Sequence, residues 1–349
     1  MTKSNDVKFP RTFVFELTQA CNHRCVHCYT VWGTSTTGYR NTTDKTLSTS
    51  AWKRLIDRLH KDVPTLENIA LSGGEPLLHK DLKEIVHHIS DHGLSTVVIT
   101  NGSLLTESVA LELHRAGAYF EVPLLSHRPD VHDTLTGKKG SWEQVVNNLA
   151  DMVRNRVGWV SVFVATRRNY RDLPKTLHLA VALGAEGIMY NRLNLAAGNI
   201  VQASHLAPTP AMIQRNLATL NAWSKKHRFP VAVSVVIEPC VVDISPYAHV
   251  HFGWCPLAGA DSYFTVDPFG DVRICNHSPT VLGNLTRDSF ADIYYQHPYV
   301  KQFRTELPRE CLDCPPEWKN LCKGGCKAAG EQCYGDAAQV DPFVSLYAS

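Results

Sequence analysis

Six alternations of a short β-rich run with an amphipathic helical stretch, followed by a C-terminal third crowded with cysteine, predict an α/β fold. The expected architecture is a partial (β/α)6 TIM-like barrel, then a small cysteine-rich domain containing a β-hairpin. At 349 residues, 44% apolar and 19% charged, the chain has the length for two domains and the composition of a globular protein.

The first strand is read at residues 12–18 and leads into a long loop ending near residue 41. A helix over 48–62 places Trp52, Leu55, Ile56 and Leu59 on one face, and a strand follows at 68–72. The helix over 81–92 turns Leu82, Ile85, Val86 and Ile89 inward and stops at Gly93. The plan repeats: strand 96–100, helix 107–116 before Gly117, strand 119–125, helix 142–155, strand 160–166, helix 173–183, strand 188–193 and helix 210–227. Right-handed crossovers make such a sheet parallel, and six units suit a partial barrel better than the closed eight-fold form. A last strand, 231–237, leads out. The expected division is therefore a barrel at 9–228 and, at 229–349, a bridging strand with the cysteine-rich domain.

Lys plus Arg total 35 against 33 Asp plus Glu, and the basic clusters at 167–168 and 225–228 read as solvated element ends. Neither nucleic acid nor a membrane is expected as partner. The start of the chain has no signal segment and no apolar run reaches spanning length, so a cytoplasmic location is expected. In a reducing compartment, eleven cysteines in close pairs favour metal over a disulfide framework.

Parallel barrels build their sites on the loops after the strands. Here those loops carry Cys21, Cys25 and Cys28 in C-x3-C-x2-C spacing, then Gly73-Gly74-Glu75-Pro76, Asn101-Gly102, Ser126 and Arg167, with Asn191-Arg192 ending the sixth strand. Three thiolates from one loop give an iron–sulfur cube three of its four protein bonds and leave one iron open. Zinc is the competing occupant, with His23 and His27 close by. A glycine pair lets a ligand approach bare backbone, the adjoining carboxylate accepts from an amine, and Asn101 suits a ribose hydroxyl pair. Taken singly, Gly73-Gly74 and Asn101-Gly102 are ordinary turns and Ser126 a loop-start hydroxyl.

In conjunction, the cysteine loop and the run Ser72-Gly73-Gly74-Glu75-Pro76 resemble the radical S-adenosylmethionine enzyme family. The resemblance implies a [4Fe–4S] cluster on Cys21, Cys25 and Cys28 whose open iron is chelated by S-adenosylmethionine. Reductive cleavage then yields a 5′-deoxyadenosyl radical that takes a hydrogen from a substrate carbon, an oxidoreductase-type chemistry. It further implies that Gly73, Gly74 and Glu75 bind the methionine amine, and that Asn101, Ser126 and Arg192 are ribose or carboxylate contacts. His27 stands where the family places an aromatic ring against adenine. The family's arginine after the fourth strand has no counterpart at 131–136, which leaves the carboxylate contact unassigned.

The C-terminal pattern is Cys255-x14-Gly270-x4-Cys275, then Cys311-x2-Cys314-x7-Cys322-x3-Cys326-x6-Cys333. Residues 262–266 and 272–274 read as a hairpin that brings Cys255 and Cys275 together. This resembles the SPASM extension of peptide-maturing radical enzymes, with two auxiliary iron–sulfur clusters and so three clusters in all. The resemblance assigns Cys255, Cys275 and Cys326 to the nearer cluster and Cys311, Cys314, Cys322 and Cys333 to the farther one. The gap of seven residues after Cys314 is longer than the usual five, and paired zinc knuckles are the bland alternative. Cys240 falls outside both patterns and has three readings: fourth ligand of the nearer cluster, a thiol returning a hydrogen atom to a substrate radical, or inert packing.

The expected substrate is a ribosomally made peptide, modified by crosslinking, epimerisation or oxidation. A small polar molecule such as an aminocyclitol or sugar is the second reading, favoured by the short stretch before Cys21. A non-catalytic iron–sulfur electron carrier is the reading from another class, and it has no use for Gly73-Gly74-Glu75. Expected partners are a flavodoxin or ferredoxin as electron donor and a separate leader-peptide recognition protein.

Overall fold

The computed structural model describes residues 9–33, 46–255 and 262–347. Strands β1 (Thr12–Glu16), β2 (Asn68–Ser72), β3 (Ser95–Ile99), β4 (Ala118–Pro123), β5 (Trp159–Ala165) and β6 (Gly187–Arg192) lie side by side in chain order, every pair parallel. The helices between them are α1 (Thr49–Asp62), α2 (Leu82–Asp91), α3 (Glu107–Arg115), α4 (Pro129–Thr136), α5 (Ser141–Arg154) and α6 (Leu173–Ala182). After β6 come α7 (Ala203–Leu206) and α8 (Pro210–His227).

The amphipathic patterns explain these helices directly. Ser48 caps α1 by accepting the Ala51 N–H, and Trp52, Leu55, Ile56 and Leu59 are its buried residues, as expected. Trp52 packs 4.9 Å from the Phe15 ring of β1. α2 buries Leu82, Ile85, Val86 and Ile89 and gives way to Gly93 at φ +71°. Helix α4 is not among the elements expected from sequence, because eight residues with few apolar positions carry little periodicity. Its local signals are Pro129 at the start and Gly137, left-handed at φ +63°, at the end.

The sheet does not end with the barrel strands. β7 (Val231–Val233) and β8 (His251–Phe252) extend it beyond β6. On the opposite edge β9 (Tyr263–Val266) pairs parallel to β1, followed by the antiparallel strands β10 (Asp271–Arg273) and β11 (Val281–Asn284). The expected hairpin is therefore also the cover for the free edge of β1. β7 is shorter than expected because the backbone N–H groups of Ser234 and Val235 leave the ladder and donate to Asn191 Oδ1.

The remaining helices are α9 (Phe290–Gln296), α10 (Pro298–Thr305), α11 (Pro316–Cys322), α12 (Lys327–Tyr334) and α13 (Pro342–Tyr347). Several contacts tie this C-terminal region to the barrel. Phe13, Phe264, Phe290 and Tyr294 form one aromatic cluster. Arg58 on α1 donates to the carbonyls of Leu285 and Asp288 at 2.7 and 2.6 Å. Arg192, fully enclosed at the end of β6, donates to Glu238 and Asp341, each at 2.6 Å, with its guanidinium 4.5 Å over the Phe343 ring. Among the described residues, no helix is long and apolar enough to cross a membrane.

Removing the cation of that buried triad strands two carboxylates away from water. Arg192→Met is expected to cost about 3–5 kcal/mol, read as a lowered urea midpoint. An unchanged midpoint would show that the carboxylates are held by other groups.

Candidate active site at the carboxyl ends of the strands

The cysteine loop follows β1 and is held from two sides. From α4, the carbonyls of Thr136 and Leu135 accept the N–H groups of Arg24 and Val26, each at 3.0 Å. A Cβ on Gly137 would lie 2.4 Å from the Arg24 carbonyl oxygen, so only glycine lets α4 end there. From β2, the N–H groups of Gly74 and Glu75 donate to the carbonyls of Thr18 and Ala20 at 2.7 and 2.8 Å. A Cβ on Gly73 would stand 2.4 Å from the Thr18 oxygen, and one on Gly74 2.2 Å from the Ala20 oxygen. The two glycines thus seat the start of the cysteine loop itself.

Glu75 also has a role that the sequence reading did not assign. Its fully buried carboxylate accepts from Leu77 N (3.0 Å), Thr100 Oγ1 (2.7 Å) and Asn101 N (2.8 Å), which clamps the loops after β2 and β3 together. Asn101 in turn donates from Nδ2 to Asn22 Oδ1 at 2.7 Å and accepts at Oδ1 from Ser103 N and Oγ. Asn22 returns a bond to Ser103 Oγ at 2.9 Å. Asn22 and Ser103 were missed from sequence. Their available signal was position, one inside the cysteine loop and the other two residues past Asn101.

The structure brings Cys21, Cys25, Cys28, Gly73 to Glu75 and Asn101 into one hydrogen-bonded unit. It places Ser126 and Arg192 elsewhere. Ser126 is fully buried, donates to Asp172 Oδ2 at 2.7 Å and accepts the Arg128 N–H at 2.9 Å. The Arg192 guanidinium is spent on Glu238, Asp341 and the carbonyls of Val236 and Leu193. In the structure both side chains are hydrogen-bonded to protein groups. Burial pushes His27 down to about 4, so its ring is neutral. His27 Nδ1 and both ring nitrogens of His23 are buried with no hydrogen-bond partner.

The C-terminal cysteines form two sets. Cys255 and Cys275 line a pocket with Tyr263, Ile274 and Phe303; Cys326 is not among its lining residues, and burial first, then the charges of Asp341, Cys255 and Cys275, push its thiol up. The expected quartet is different. Cys311, Cys314 and Cys322 line a second pocket with Cys240, while Cys333 is not among its lining residues. Cys333 lies on α12, seven residues beyond Cys326 and so about 10 Å along the helix axis. The two halves of the molecule meet at Tyr29, beside Cys28. Its hydroxyl accepts from Nδ2 of Asn276, the neighbour of Cys275, at 2.9 Å, and its ring lies 5.0 Å from His277.

Thiolates around one zinc at about 2.3 Å stand about 3.8 Å apart. Among the described residues, only Asp57, His88 and His92 bring three such ligand atoms within 4.8 Å of one another, and they form a hydrogen-bonded clasp between α1 and α2. No three cysteine sulfurs of the described residues meet that 4.8 Å spacing. Burial pushes Cys25 up to about 12, with Cys28 and Cys21 adding to the effect, so the Cys25 thiol needs a cationic partner to become a thiolate at neutral pH.

Comparison with known proteins agrees with this geometry. The Radical SAM superfamily model matches residues 15–180, and the SPASM model, an iron–sulfur cluster-binding domain, matches 255–315. An AdoMet-dependent heme synthase from Methanosarcina barkeri is 26% identical over 348 residues, covering 96% of each chain. A PqqA peptide cyclase from Rhodopseudomonas palustris is 27% identical, covering 97% of this chain and 87% of its own. Among solved structures, Streptococcus suis SuiB bound to the precursor peptide SuiA shares the fold with a TM-score of 0.75 at 14% identity, over 96% of this chain and 75% of that one. anSMEcpe with bound AdoMet does so at 0.71 and 15%, over 96% and 94%. With both cysteine regions matched in the order and places the fold requires, the chain belongs to the radical SAM superfamily, as an enzyme with a C-terminal SPASM domain that uses S-adenosylmethionine and iron–sulfur clusters.

Proposed function

We propose that this enzyme cleaves S-adenosylmethionine reductively at the mouth of the barrel and uses the outcome to abstract a hydrogen from a carbon of a ribosomally made peptide, leading to a crosslink, an epimer or an oxidised residue. The observation that carries this reading is the single unit made by the cysteine loop, Gly73 to Glu75, Asn22, Asn101 and Ser103. When bound, the cluster and S-adenosylmethionine supply the electron transfer and the hydrogen-abstracting radical.

The chain's own residues supply position. Cys21, Cys25 and Cys28 hold the cluster, and the backbone of Gly73 to Glu75 meets the methionine amine. The Glu75 carboxylate keeps the two loops at a fixed separation, and His27 offers a neutral ring for adenine. Ser126 acts through Arg128 and Asp172 by shaping the loop after β4. Two further clusters in the C-terminal sets bring the iron content to about 12 per chain, and a flavodoxin- or ferredoxin-type protein donates the electron. The peptide substrate is supported by the PqqA peptide cyclase relatives and by the fold shared with SuiB bound to a precursor peptide.

Three outcomes are expected. Anaerobically reconstituted protein given S-adenosylmethionine and a strong reductant should form 5′-deoxyadenosine, and the Cys21/Cys25/Cys28→Ala variant should form none while keeping its auxiliary iron. Cleavage by that variant would sink the cluster assignment. Gly74→Ala should push the start of the cysteine loop aside and slow 5′-deoxyadenosine formation about 100-fold, whereas Gly93→Ala, whose Cβ meets open space but whose φ of +71° is strained for alanine, should lower stability and leave the rate of the folded enzyme unchanged. Peptides encoded beside the gene should lose two hydrogens, or take up deuterium from solvent at one carbon. If 5′-deoxyadenosine formation rises with a tetrapyrrole and never with a peptide, the substrate reading passes to the chemistry named for the heme synthase relative.

A further inference from the structure

We propose that Cys240 is the fourth thiolate of the farther auxiliary cluster, with Cys311, Cys314 and Cys322, and that Cys333 stands outside that ligand set. The assignment rests on the reading that the C-terminal cysteines hold auxiliary clusters.

Four cysteines from three separate segments converge on one pocket with about 330 Å³ of empty space, part of it open to solvent. Cys311 and Cys314 come from the turn before α11, Cys322 ends that helix, and Cys240 arrives from the loop after β7. Trp318 and Val344 supply apolar wall, and Lys319 and Lys323 supply positive charge beside a core whose four thiolates leave it net negative.

The placement of Cys240 follows from its neighbours. Glu238, two residues earlier, is held at 2.6 Å by Arg192 at the end of β6 and lines the same pocket. The loop after β7 is thereby fixed against the barrel, and its cysteine is presented to the C-terminal helices. Cys333 is carried away by α12 and packs against the apolar cluster around β6 and α8. A ligated Cys240 is also unavailable as a hydrogen-atom donor, which removes that reading of the residue.

The test uses full-length, anaerobically reconstituted protein. Cys240 is exposed in the folded chain, so as a free thiol it should alkylate readily with iodoacetamide. The expected result is that mass spectrometry finds Cys240 protected while iron is bound and labelled once a chelator and oxidant strip the iron, with labelling of Cys333 the same in both states. Rapid labelling of Cys240 in iron-loaded protein overturns the proposal. In the Cys21/Cys25/Cys28→Ala background, Cys240→Ser should lose about four irons or change the electron paramagnetic resonance signal of one auxiliary cluster, and Cys333→Ser should do neither. The reverse pattern restores Cys333 as ligand. If that background binds no iron at all, the auxiliary-cluster reading itself fails, a result distinct from an exchange of the two cysteines. Should Cys240→Ser not fold, the alkylation pattern of the unaltered protein decides alone.

Discussion

The architecture depends on three places where the cysteine loop touches backbone that has no room for a side chain. Gly73 and Gly74 lie against Thr18 and Ala20 from one direction, and Gly137 lies against Arg24 from the other. The loop has little regular structure of its own, and three thiols that must meet one inorganic core cannot tolerate a wandering backbone. Pinning it between β2 and α4 gives it the rigidity of the sheet. The same contacts explain why Glu75 is buried and triply bonded: a carboxylate that ties the loop after β2 to the loop after β3 transmits the position of two strands to the cysteine loop through Asn101 and Asn22.

Much of the barrel was legible because its helices are strongly amphipathic and its strands short, apolar and evenly spaced. The buried faces of α1 and α2 follow from periodicity alone. What was not legible shares one physical cause, namely dependence on partners distant in sequence. α4 has too few apolar residues to announce itself, yet it is half of the support for the cysteine loop. The pairing of β9 with β1 joins residues some 250 positions apart, and no local pattern encodes it. The family motif singles out residues around Gly73 and Asn101, and in the structure their hydrogen bonds are mostly to one another. Ser126 and Arg192 sit at the strand ends, where site residues are sought, and are hydrogen-bonded there to Asp172, Glu238 and Asp341. Position along a strand specifies which end of the barrel a side chain occupies, and only its partners specify whether it is free to act.

The cysteine-rich part illustrates the same limit. Spacing along the chain groups Cys311, Cys314 and Cys322, which line one pocket, and Cys255 with Cys275, which line another beside the hairpin. The last member of a set arrives over a longer path. Two candidates, Cys240 and Cys333, differ in what precedes them: one follows a loop fixed by a buried ion pair, and the other is built into a helix whose direction is set at Cys326.

Each cysteine set is joined to the barrel within a residue or two of its ligands. Tyr29, next to Cys28, accepts from Asn276, next to Cys275. The Cys326 N–H donates to Asp341, which shares Arg192 with Glu238, two residues before Cys240. Arg273, two residues before Cys275, donates to Glu16 at the end of β1. Burial raises the Glu16 carboxyl to about 7 even beside that cation, so the pair is deep in the structure and not a solvated bridge. The separations among the three sets are therefore determined by the strands β1 and β6 and by buried polar contacts, not by flexible linkers. Electron transfer and substrate positioning both depend steeply on distance. A sheet that continues from barrel to hairpin is the means by which one chain holds such distances constant while its loops remain free to admit a substrate.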